Sequence, residues 1–345
     1  MIIGGLDVHR AQITYDCVDT ATGEVTRGQV RPATRQALRS WLEARFQGRV
    51  DVVLAVEGCT GWRFVVEEMR RAGVEPHLAE PADTSAARGP KKRAKTDRTD
   101  ALLLRELLSQ QRLPESWIPP QHVQEVRTVA RNYLALVAER RAWRQRVHAQ
   151  LYHQGVPAIP SLLTCAGRAR LEAAELSRDG RQAVDIALRM MAAIECELSQ
   201  LKAQLHELSR RLPGPRALTA LFGIGPLTAV VIWAEVGDCR RFRRSEQVVR
   251  LAGLDVTVWS SDGKRSAGHL ARQGPSALRW ALYEAAMAST RQNSPDHDYY
   301  EAVHDRLTGK RAVLSVARKL ARRCYHILRE LGEAALAPPE EPMTQ

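Results

Sequence analysis

The chain has 345 residues, of which 44% are hydrophobic, and a formal net charge of +12 at pH 7. This length allows two or three domains with sizeable cores, and the charge favours a polyanionic partner. We find no run of about 18 apolar residues and no basic N-terminus that leads into an apolar core, so we expect neither a membrane span nor a secretion signal. Six scattered cysteines without a Cys-x-x-Cys pair are typical of reduced residues in a cytoplasmic protein.

The first part of the chain, residues 1–115, alternates strand and helix signals. The predicted strands are 2–8, 11–19, 24–31, 51–57 and 74–79, and the predicted helices are 34–46, 61–72 and 97–111. The first three strands are close together, which predicts antiparallel hairpins, whereas helices separate the later strands, which predicts parallel pairing. This combination predicts a mixed, ribonuclease-H-like sheet covered by helices. The basic stretch 86–96 breaks both periodicities and is expected to be a mobile loop.

Four acids stand at informative places in this part. Asp7 and Glu57 each close an apolar strand, and Asp97 and Asp100 lie three residues apart at the start of a helix, on one face. Carboxylates converge when a cation holds them together, and oxygen ligands suit Mg²⁺ or Mn²⁺. A pair of such ions about 4 Å apart serves phosphodiester chemistry. We therefore predict a metal site; the alternative is that these acids are solvated or cap helices, as Asp97 alone could.

The central part, residues 116–212, is predicted to be helical, with a coiled-coil segment. An a/d seam of apolar residues advances in steps of three and four through Met191, Ile194, Leu198, Leu201, Leu205, Leu208 and Leu212. This seam can pack within the chain against the predicted helix 121–153, or against a second protomer.

The C-terminal part, residues 213–333, is predicted to be all-α with a helix-hairpin-helix-like motif. Gly223 and Gly225 join two helical patterns. Such a hairpin exposes backbone N–H groups at a helix N-terminus, where they can hold a phosphate. The alternative is a plain packing corner between helices. The nearby Arg240, Arg241, Arg243 and Arg244 favour a DNA contact.

Two further features lie in this part. The stretch 253–265 is rich in turn residues and contains Ser260 and Ser261, with no His–Asp partner for a hydrolase-type triad nearby. A serine here becomes a nucleophile only if metal ions or arginines activate it next to a phosphate. Helix 310–331 is strongly basic, which favours contact with nucleic acid. The tail 334–345 is expected to be disordered.

Taken together, the motifs resemble the transposases of the insertion-sequence one-ten family, the DEDD-type recombinases related to the Piv invertase. The N-terminal resemblance, to a RuvC-like domain, rests on Gly-Leu-Asp7-Val-His, Val-Glu57-Gly and Lys-Thr-Asp97-Arg-Thr-Asp100-Ala. The C-terminal resemblance, to the family's transposase domain, rests on Gly223-Ile-Gly225-Pro-Leu-Thr-Ala, Phe242 to Gly253-Leu254, Ser261-Asp262-Gly263-Lys264, Gly274, Leu278-Arg279 and Ala317-Arg318-Lys319-Leu320.

The resemblance implies that Asp7, Glu57, Asp97 and Asp100 bind Mg²⁺ or Mn²⁺. It also implies that Ser261 attacks DNA to form a covalent phosphoserine link, with the adjacent Ser260 as the alternative. The family uses a structured noncoding RNA from its own element to choose DNA sites. We therefore expect a DNA transposase and recombinase, cytoplasmic and nucleoid-associated, that acts on double-stranded DNA as a homo-oligomer (dimer or tetramer). The alternatives are a Holliday-junction resolvase-like, metal-dependent nuclease and a non-catalytic nucleic-acid-binding protein.

The expected nucleic-acid contacts combine the basic loop, the glycine hairpin, the arginine cluster, the serine loop and the last helix. They are Lys91, Lys92, Arg93, Lys95, Gly223, Gly225, Arg240, Arg241, Arg243, Arg244, Lys264, Arg265, Arg318, Lys319 and Arg322.

Overall fold

The computed structural model describes residues 1–87, 96–257, 260–261, 264–265, 269–271 and 273–339, with the backbone alone for residues 257, 260, 261, 264, 265 and 269. The chain forms two compact units, Met1–Ile118 and a second one that begins at Pro119. Among the described residues, no helix is long and apolar enough to cross a membrane. The predicted boundary at 115 lies close to the boundary between the units, and the finer division at 212 stays a prediction.

The first unit is an α/β structure built on one mixed sheet. Its elements are β1 (Ile2–Val8), β2 (Ile13–Asp19), β3 (Val25–Val30), α1 (Arg35–Phe46), β4 (Val52–Glu57), α2 (Trp62–Arg71), β5 (Glu75–Ala79), α3 (Pro81–Ala87), α4 (Asp97–Ser109) and β6 (Glu115–Ser116). The strand order is β3-β2-β1-β4-β5-β6. Strands β1 to β3 pair antiparallel, β4 and β5 run parallel to β1, and β6 is antiparallel to β5. This confirms the mixed, ribonuclease-H-like sheet; helix α3 and strand β6 were not predicted.

The two faces of this sheet are covered by different helices. On one face, Leu6 and Leu54 belong to a core that also contains Leu38 and Phe46 of α1 and Met69 of α2. On the other face, a smaller core joins β4 and β5 to α4 through Ala55, Ala79 and Leu104. Alternation of side chains along β4 explains why consecutive residues of this strand enter different cores.

Helix α4 lies directly on the backbone of the central strand β1. A Cβ atom at Gly5 would lie 2.2 Å from the carbonyl oxygen of Ala101, a separation that real Cβ atoms do not reach. Because glycine has no Cβ, the helix approaches β1 more closely than any other residue at position 5 would allow. The buried Asp16 of β2 accepts a hydrogen bond of 2.5 Å from Arg105, which holds the helix over the same strands.

The second unit is mainly helical. Its helices are α5 (Gln121–His153), α6 (Cys165–Glu172), α7 (Arg178–Arg211), α8 (Pro213–Leu218), α9 (Pro226–Val236), α10 (Ser245–Leu251), α11 (Ser276–Ala286), α12 (His297–His304) and α13 (Gly309–Leu331), with 3-10 turns at Cys239–Arg241, Met287–Thr290 and Gly332–Leu336. Four two-residue strands lie between α10 and α11: β7 (Val256–Thr257), β8 (Ser260–Ser261), β9 (Lys264–Arg265) and β10 (His269–Leu270).

The long helices α5 and α7 pack against each other within the chain. Val147 and Leu151 of α5 share a core with Val184 and Met191 of α7. Further along the pair, Arg140 of α5 and Glu195 of α7 form an ion pair of 2.7 Å. The predicted seam is buried at Met191, Ile194, Leu198, Leu205 and Leu212. In the described residues, the partner of this seam is therefore helix α5 of the same chain. The supercoiled geometry of a coiled coil stays a prediction.

Helix α9 forms the centre of the C-terminal helices. It is apolar and buried along most of its length, and it contacts α5, α7, α8 and α11. Its one acid, Glu235, is buried and accepts two hydrogen bonds from Arg131 of α5, at 2.8 and 2.9 Å. A buried carboxylate needs such a partner, since removing its charge from water is otherwise costly.

The beginning of the predicted tail is ordered, which corrects the expectation of disorder from residue 334. Residues Gly332–Leu336 form a 3-10 turn. The carbonyl oxygen of Ala335, a buried residue, accepts a hydrogen bond of 2.7 Å from the indole N–H of Trp233 in α9. A buried indole N–H requires an acceptor, and this segment of chain provides it. Residues 340–345 lie outside the described residues.

Candidate metal centre and nucleic-acid interface

The four predicted acids line one cavity of about 570 Å³ in the first unit. Asp7 lies near the carboxyl end of β1 and Glu57 is the last residue of β4. These strands are parallel neighbours, so their carboxyl ends meet at one edge of the sheet. Asp97 and Asp100 belong to the first turn of α4, whose position on β1 brings them to that same edge. All four acids therefore line the same cavity. Among the described residues, Asp7 and Asp97 are the two of them that belong to a group close enough to share one ion.

The helix cap is provided by Thr96, which leaves Asp97 available for other contacts. The side-chain oxygen of Thr96 accepts a hydrogen bond from the backbone N–H of Thr99, and the Thr99 hydroxyl accepts one from the backbone N–H of Thr96. This reciprocal pair is a capping box. The alternative in which Asp97 only caps the helix is therefore not what the structure shows.

His9 joins the acids at the cavity, and sequence reasoning did not select it. Its Nε2 atom lies 3.1 Å from Oδ2 of Asp7 and 3.5 Å from Oδ1 of Asp97. The ligand atoms of these three residues all lie within 4.8 Å of one another. The signal in the sequence was the spacing of two between Asp7 and His9, because alternate residues of an extended segment point to the same side.

Gln12 holds Asp97 from the other side and was also missed. Its side-chain N–H donates to Oδ2 of Asp97 at 2.9 Å, while its side-chain oxygen accepts a hydrogen bond from Arg31. Asp97 is thus held by Gln12 at one oxygen and lies beside His9 at the other. No local pattern could have indicated this contact, since 85 residues separate Gln12 from Asp97.

The electrostatics of the cavity disfavour an unbalanced negative charge. Burial raises the pKa of Asp7 above its ordinary value, and the negative charges of Asp100 and Asp97 raise this pKa further, against the opposing effect of His9. Asp7 and Asp100 are both largely shielded from water. Like charges this close are stabilised by a bound cation.

The donor set fits a divalent cation. Four carboxylates supply hard oxygen ligands of the kind that Mg²⁺ and Mn²⁺ prefer, and one imidazole nitrogen lies among them. The pKa of Asp7 is raised mainly by its burial and further by Asp100 and Asp97, so a nearby cation would favour its charged form. The residues that could hold the ion are therefore Asp7, Glu57, Asp97, Asp100 and His9.

The glycine hairpin lies between α8 and α9 and borders an open concave surface lined by residues 219–225. Gly223 has φ +87°, and a Cβ there would lie 2.4 Å from the carbonyl oxygen of Ala285, so this position requires glycine on both counts. Around Gly225, which caps α9, a Cβ would meet nothing within 4 Å. The side of Gly225 where a Cβ would stand is therefore open. Because Pro226, the first residue of α9, has no N–H, a backbone contact to a phosphate here would come from the residues after it.

In the predicted arginine cluster, the guanidinium groups of Arg240 and Arg241 bind other parts of the chain, whereas the backbone N–H groups of Arg243 and Arg244 donate to the side-chain oxygen of Gln247. Arg240 pairs with Asp238 at 2.9 Å and with Glu333 at 2.6 Å. Arg241 donates to the carbonyl oxygen of Val236 at 3.0 Å. Arg243 and Arg244 are exposed.

The serine stretch forms two small antiparallel ladders where the sequence predicted only turns. Strand β7 pairs with β10, and β8 pairs with β9. In the second ladder, Ser261 is the register partner of Lys264 and Ser260 is the register partner of Arg265. Each candidate nucleophile therefore has a basic residue directly across the ladder.

Two arginines bind the chain where it enters this hairpin. Arg318 of α13 donates from Nε to the carbonyl oxygen of Leu254 at 2.6 Å, and Arg279 of α11 donates to that of Ala252 at 3.1 Å. At the other end, Gly274 has φ +87°, and a Cβ there would lie 2.0 Å from the carbonyl oxygen of Leu251. Both ends of the hairpin segment are thus fixed beside the end of α10.

Two other predicted basic contacts on α13 also have partners in the chain. Lys319 lies 3.1 Å from Oδ1 of the buried Asp296, and its ammonium group lies 4.0 Å from the centre of the Tyr299 ring. Arg322 has only a loose pair with the exposed Glu246, at 3.6 Å. Of Arg318, Lys319 and Arg322, the last therefore has the most freedom to contact a ligand.

Some predicted contacts lie outside the described residues. They are Lys91, Lys92, Arg93 and Lys95, together with the side chains of Ser261, Lys264 and Arg265.

Two family models match this chain. The model of the DEDD transposases of the IS110 group, described as a transposase, matches residues 4–154, and the model described as the transposase IS116/IS110/IS902 family matches residues 216–301. The first match contains the acid cavity, and the second contains the glycine hairpin and the serine ladders.

Several transposases are similar in sequence. The putative transposase y4rJ of Sinorhizobium fredii is 28% identical over 260 residues, which cover 68% of this chain and 64% of the relative. A probable family 20 transposase of Pseudomonas aeruginosa is 25% identical, with 83% of each chain covered. The transposase for insertion sequence element IS1111A of Coxiella burnetii is 24% identical, over 78% of this chain and 75% of the relative. The chain thus spans just under two thirds of the Sinorhizobium protein and more of the other two.

Proposed function

Because the chain belongs to the IS110 family of transposases, we propose that it cuts and rejoins DNA strands with a divalent-metal site at the four acids and a serine nucleophile, Ser261. The observation that carries this proposal is the convergence of Asp7, Glu57, Asp97 and Asp100 on one cavity. A bound divalent cation would stabilise the negative charge that develops on a phosphate during strand transfer.

In the proposed reaction, the oxygen of Ser261 forms a bond to a DNA phosphorus atom, and the bond from that phosphorus to one sugar oxygen breaks. The serine hydroxyl loses its proton, and the departing sugar oxygen gains one. The number of phosphoester bonds is unchanged, so a second strand end can displace the serine without ATP. Since a serine hydroxyl attacks poorly unaided, its register partner Lys264 is the proposed source of positive charge near the phosphate.

Binding of DNA is proposed to use the open surface of the glycine hairpin together with the exposed arginines. Gly225 at the start of α9 supports a backbone contact to a phosphate, and Arg243, Arg244 and Arg322 support ionic contacts. A structured noncoding RNA encoded beside the gene is the proposed guide to the DNA target, and a homo-oligomer, dimer or tetramer, is the proposed active form. The net charge of +12 supports a nucleic-acid partner of either kind.

The test is a search for a covalent protein–DNA adduct. The full chain is incubated with labelled DNA that carries the ends of the element flanking the gene, with Mg²⁺ or Mn²⁺ and a transcript of the adjacent noncoding stretch, and then separated under denaturing conditions. We expect an adduct from the wild type, its loss in Ser261→Ala with metal binding unchanged, and only a mild effect of Ser260→Ala. Mass spectrometry of the trapped peptide identifies the attached residue.

The other outcomes separate the alternatives. A link on Ser260 moves the nucleophile by one residue, and a link on tyrosine overturns the serine mechanism. Metal-dependent cleavage without an adduct favours the resolvase-like nuclease, in which the acids would activate water. DNA binding that survives loss of the acids, with no strand cutting, favours a non-catalytic binding protein.

A further inference from the structure

We propose that His9 is a direct ligand of the divalent ion through Nε2, and that this nitrogen makes the acid cavity select Mn²⁺ over Mg²⁺. The inference rests on the proposed metal site and adds to it a fifth ligand and a choice of ion. It starts from the cluster of Asp7, His9 and Asp97, whose ligand atoms lie within 4.8 Å of one another.

The distances in this cluster match those between ligands of one ion. Oxygen ligands of Mg²⁺ lie about 2.0 to 2.1 Å from the ion in octahedral geometry, which places neighbouring ligand atoms about 2.9 Å apart and opposite ones about 4.1 Å apart. The Nε2 atom of His9 lies 3.1 Å from Asp7 and 3.5 Å from Asp97, so small adjustments give neighbouring positions around a shared ion. The slightly longer bonds of Mn²⁺ bring these distances still closer to the expected ones.

The same nitrogen faces both carboxylates, which favours a ligand over a simple hydrogen-bond donor. One N–H can point well at only one acceptor, whereas in the tautomer with its proton on Nδ1 the Nε2 lone pair could bind an ion shared with both carboxylates. The His9 side chain is about half exposed, so it can shift toward an ion without disturbing the core.

A nitrogen ligand from His9 would make the site prefer one divalent ion over another. Mg²⁺ strongly prefers oxygen ligands, while imidazole suits transition-metal ions. A site with four carboxylates alone would accept either ion, so His9 is the residue that separates them. Among the described residues that line this cavity, His9 supplies the one imidazole.

The first experiment measures binding of Mn²⁺ and Mg²⁺ alone to the full chain by titration calorimetry. Wild type should bind Mn²⁺ at least tenfold more tightly than Mg²⁺. His9→Gln keeps a hydrogen-bond donor beside Asp7 but removes the imidazole. It should weaken Mn²⁺ binding by at least about tenfold to a hundredfold, because loss of a residue that only supports a metal ligand already costs that much. Binding of Mg²⁺ should change by less than about threefold. His77→Ala serves as the matched control, because His77 also contacts a carboxylate, Glu115 at 2.9 Å, but lies outside the cavity.

The second experiment detects the bond itself. Electron spin echo spectroscopy of bound Mn²⁺ reports directly coordinated nitrogen, and its signal should be present in wild type, shifted by ¹⁵N-histidine labelling and absent in His9→Gln. The exposed cluster of Glu301, His304 and Asp305 could also take up Mn²⁺, so the same spectrum is recorded in His304→Ala, where the signal should persist.

The outcomes distinguish this inference from the proposal on which it rests. Asp7-dependent Mn²⁺ binding without nitrogen coupling, or equal loss of both ions in His9→Gln, overturns the role of His9 and leaves the acid site standing. Unchanged Mn²⁺ binding in Asp7→Asn overturns the acid site and the inference together.

Discussion

Gly5 of β1 and Ala101 of α4 are in backbone contact so close that a Cβ at position 5 would lie 2.2 Å from the Ala101 carbonyl oxygen. This contact sets the height of α4 above the sheet. Since Asp97 and Asp100 lie in the first turn of α4, it also sets how near they come to Asp7 at the end of β1. The acid cavity therefore depends on glycine at position 5, because a side chain there would push α4 away from β1.

Gly5→Ala should displace α4 and weaken metal binding. Overpacking of this kind usually destabilises a protein by about 1–3 kcal/mol, and here the obstacle is backbone, which cannot rotate away. Gly4→Ala is the matched control, because its Cβ would meet Cys17 and Leu54 at 2.6 Å on the opposite face. Both variants should lower the urea midpoint, but only Gly5→Ala should weaken Mn²⁺ binding by the folded protein. Equal metal affinity in the two variants would contradict this account of α4.

Glu57→Gln should reduce strand cleavage by about a hundredfold or more, because charge stabilisation by a held metal ion is worth several kcal/mol. Asp51→Asn provides the control near the other end of β4, where Asp51 pairs with Arg49 at 2.8 Å. Cleavage of labelled DNA should be close to wild type in Asp51→Asn. Should the two variants behave alike, the carboxyl edge of the sheet is not the reaction site.

Asp7→Asn should raise the melting temperature of the metal-free protein at neutral pH. Because burial raises the pKa of Asp7, the folded state holds the proton more tightly than the unfolded state does. The resulting destabilisation is absent below the ordinary value of 3.8, grows as pH rises toward the raised pKa, and is complete above it. Asparagine keeps an oxygen that can accept from His9 but carries no charge.

The size and the metal dependence of this effect are both measurable. For a protein of this length, about 1 kcal/mol corresponds to roughly 2–4 °C or less in melting temperature. Added Mn²⁺ should raise the melting temperature of wild type and not that of Asp7→Asn, since a ligand that binds only the folded state stabilises it. A lower melting temperature for Asp7→Asn in chelator at pH 7 would show that the cost of burying the Asp7 charge beside the other acids is not the dominant effect.

Arg318→Ala should destabilise the second unit by about 1–3 kcal/mol, because the carbonyl oxygen of the buried Leu254 would lose its donor. Arg322→Ala, one turn further along α13, removes only an exposed pair at 3.6 Å and should change stability by about 0.5 kcal/mol or less. Urea unfolding gives the comparison. DNA affinity, measured at several salt concentrations and corrected for the folded fraction of each variant, should show the reverse order. Arg322→Ala should lose more affinity than Arg318→Ala.

The sequence by itself predicted the antiparallel and parallel pairing of the first five strands and the four acids at the ends of these elements. Local periodicity fixes where a strand or helix lies, and the short spacing between β1, β2 and β3, with helices before β4 and β5, fixes the pairing. Parallel strands end at one edge, so Asp7 and Glu57 could be placed together before any coordinates. Asp97 and Asp100 followed because they open the last long helix of this unit.

Only the tertiary structure decided which other side chains reach those acids and which basic residues remain available. Gln12 contacts Asp97 across 85 residues, and Arg318 contacts Leu254 across 64. Long-range contacts of this kind depend on how helices settle on a sheet or on each other, which periodicity does not encode. The run of positive charge on α13 predicted a nucleic-acid surface. Packing decided that Arg318 and Lys319 bind groups of the chain itself and that Arg322 stays exposed. The physical reason is that a buried polar group without a partner is costly, so the carbonyl oxygen of Leu254 and the carboxylate of Asp296 take up the nearby basic side chains.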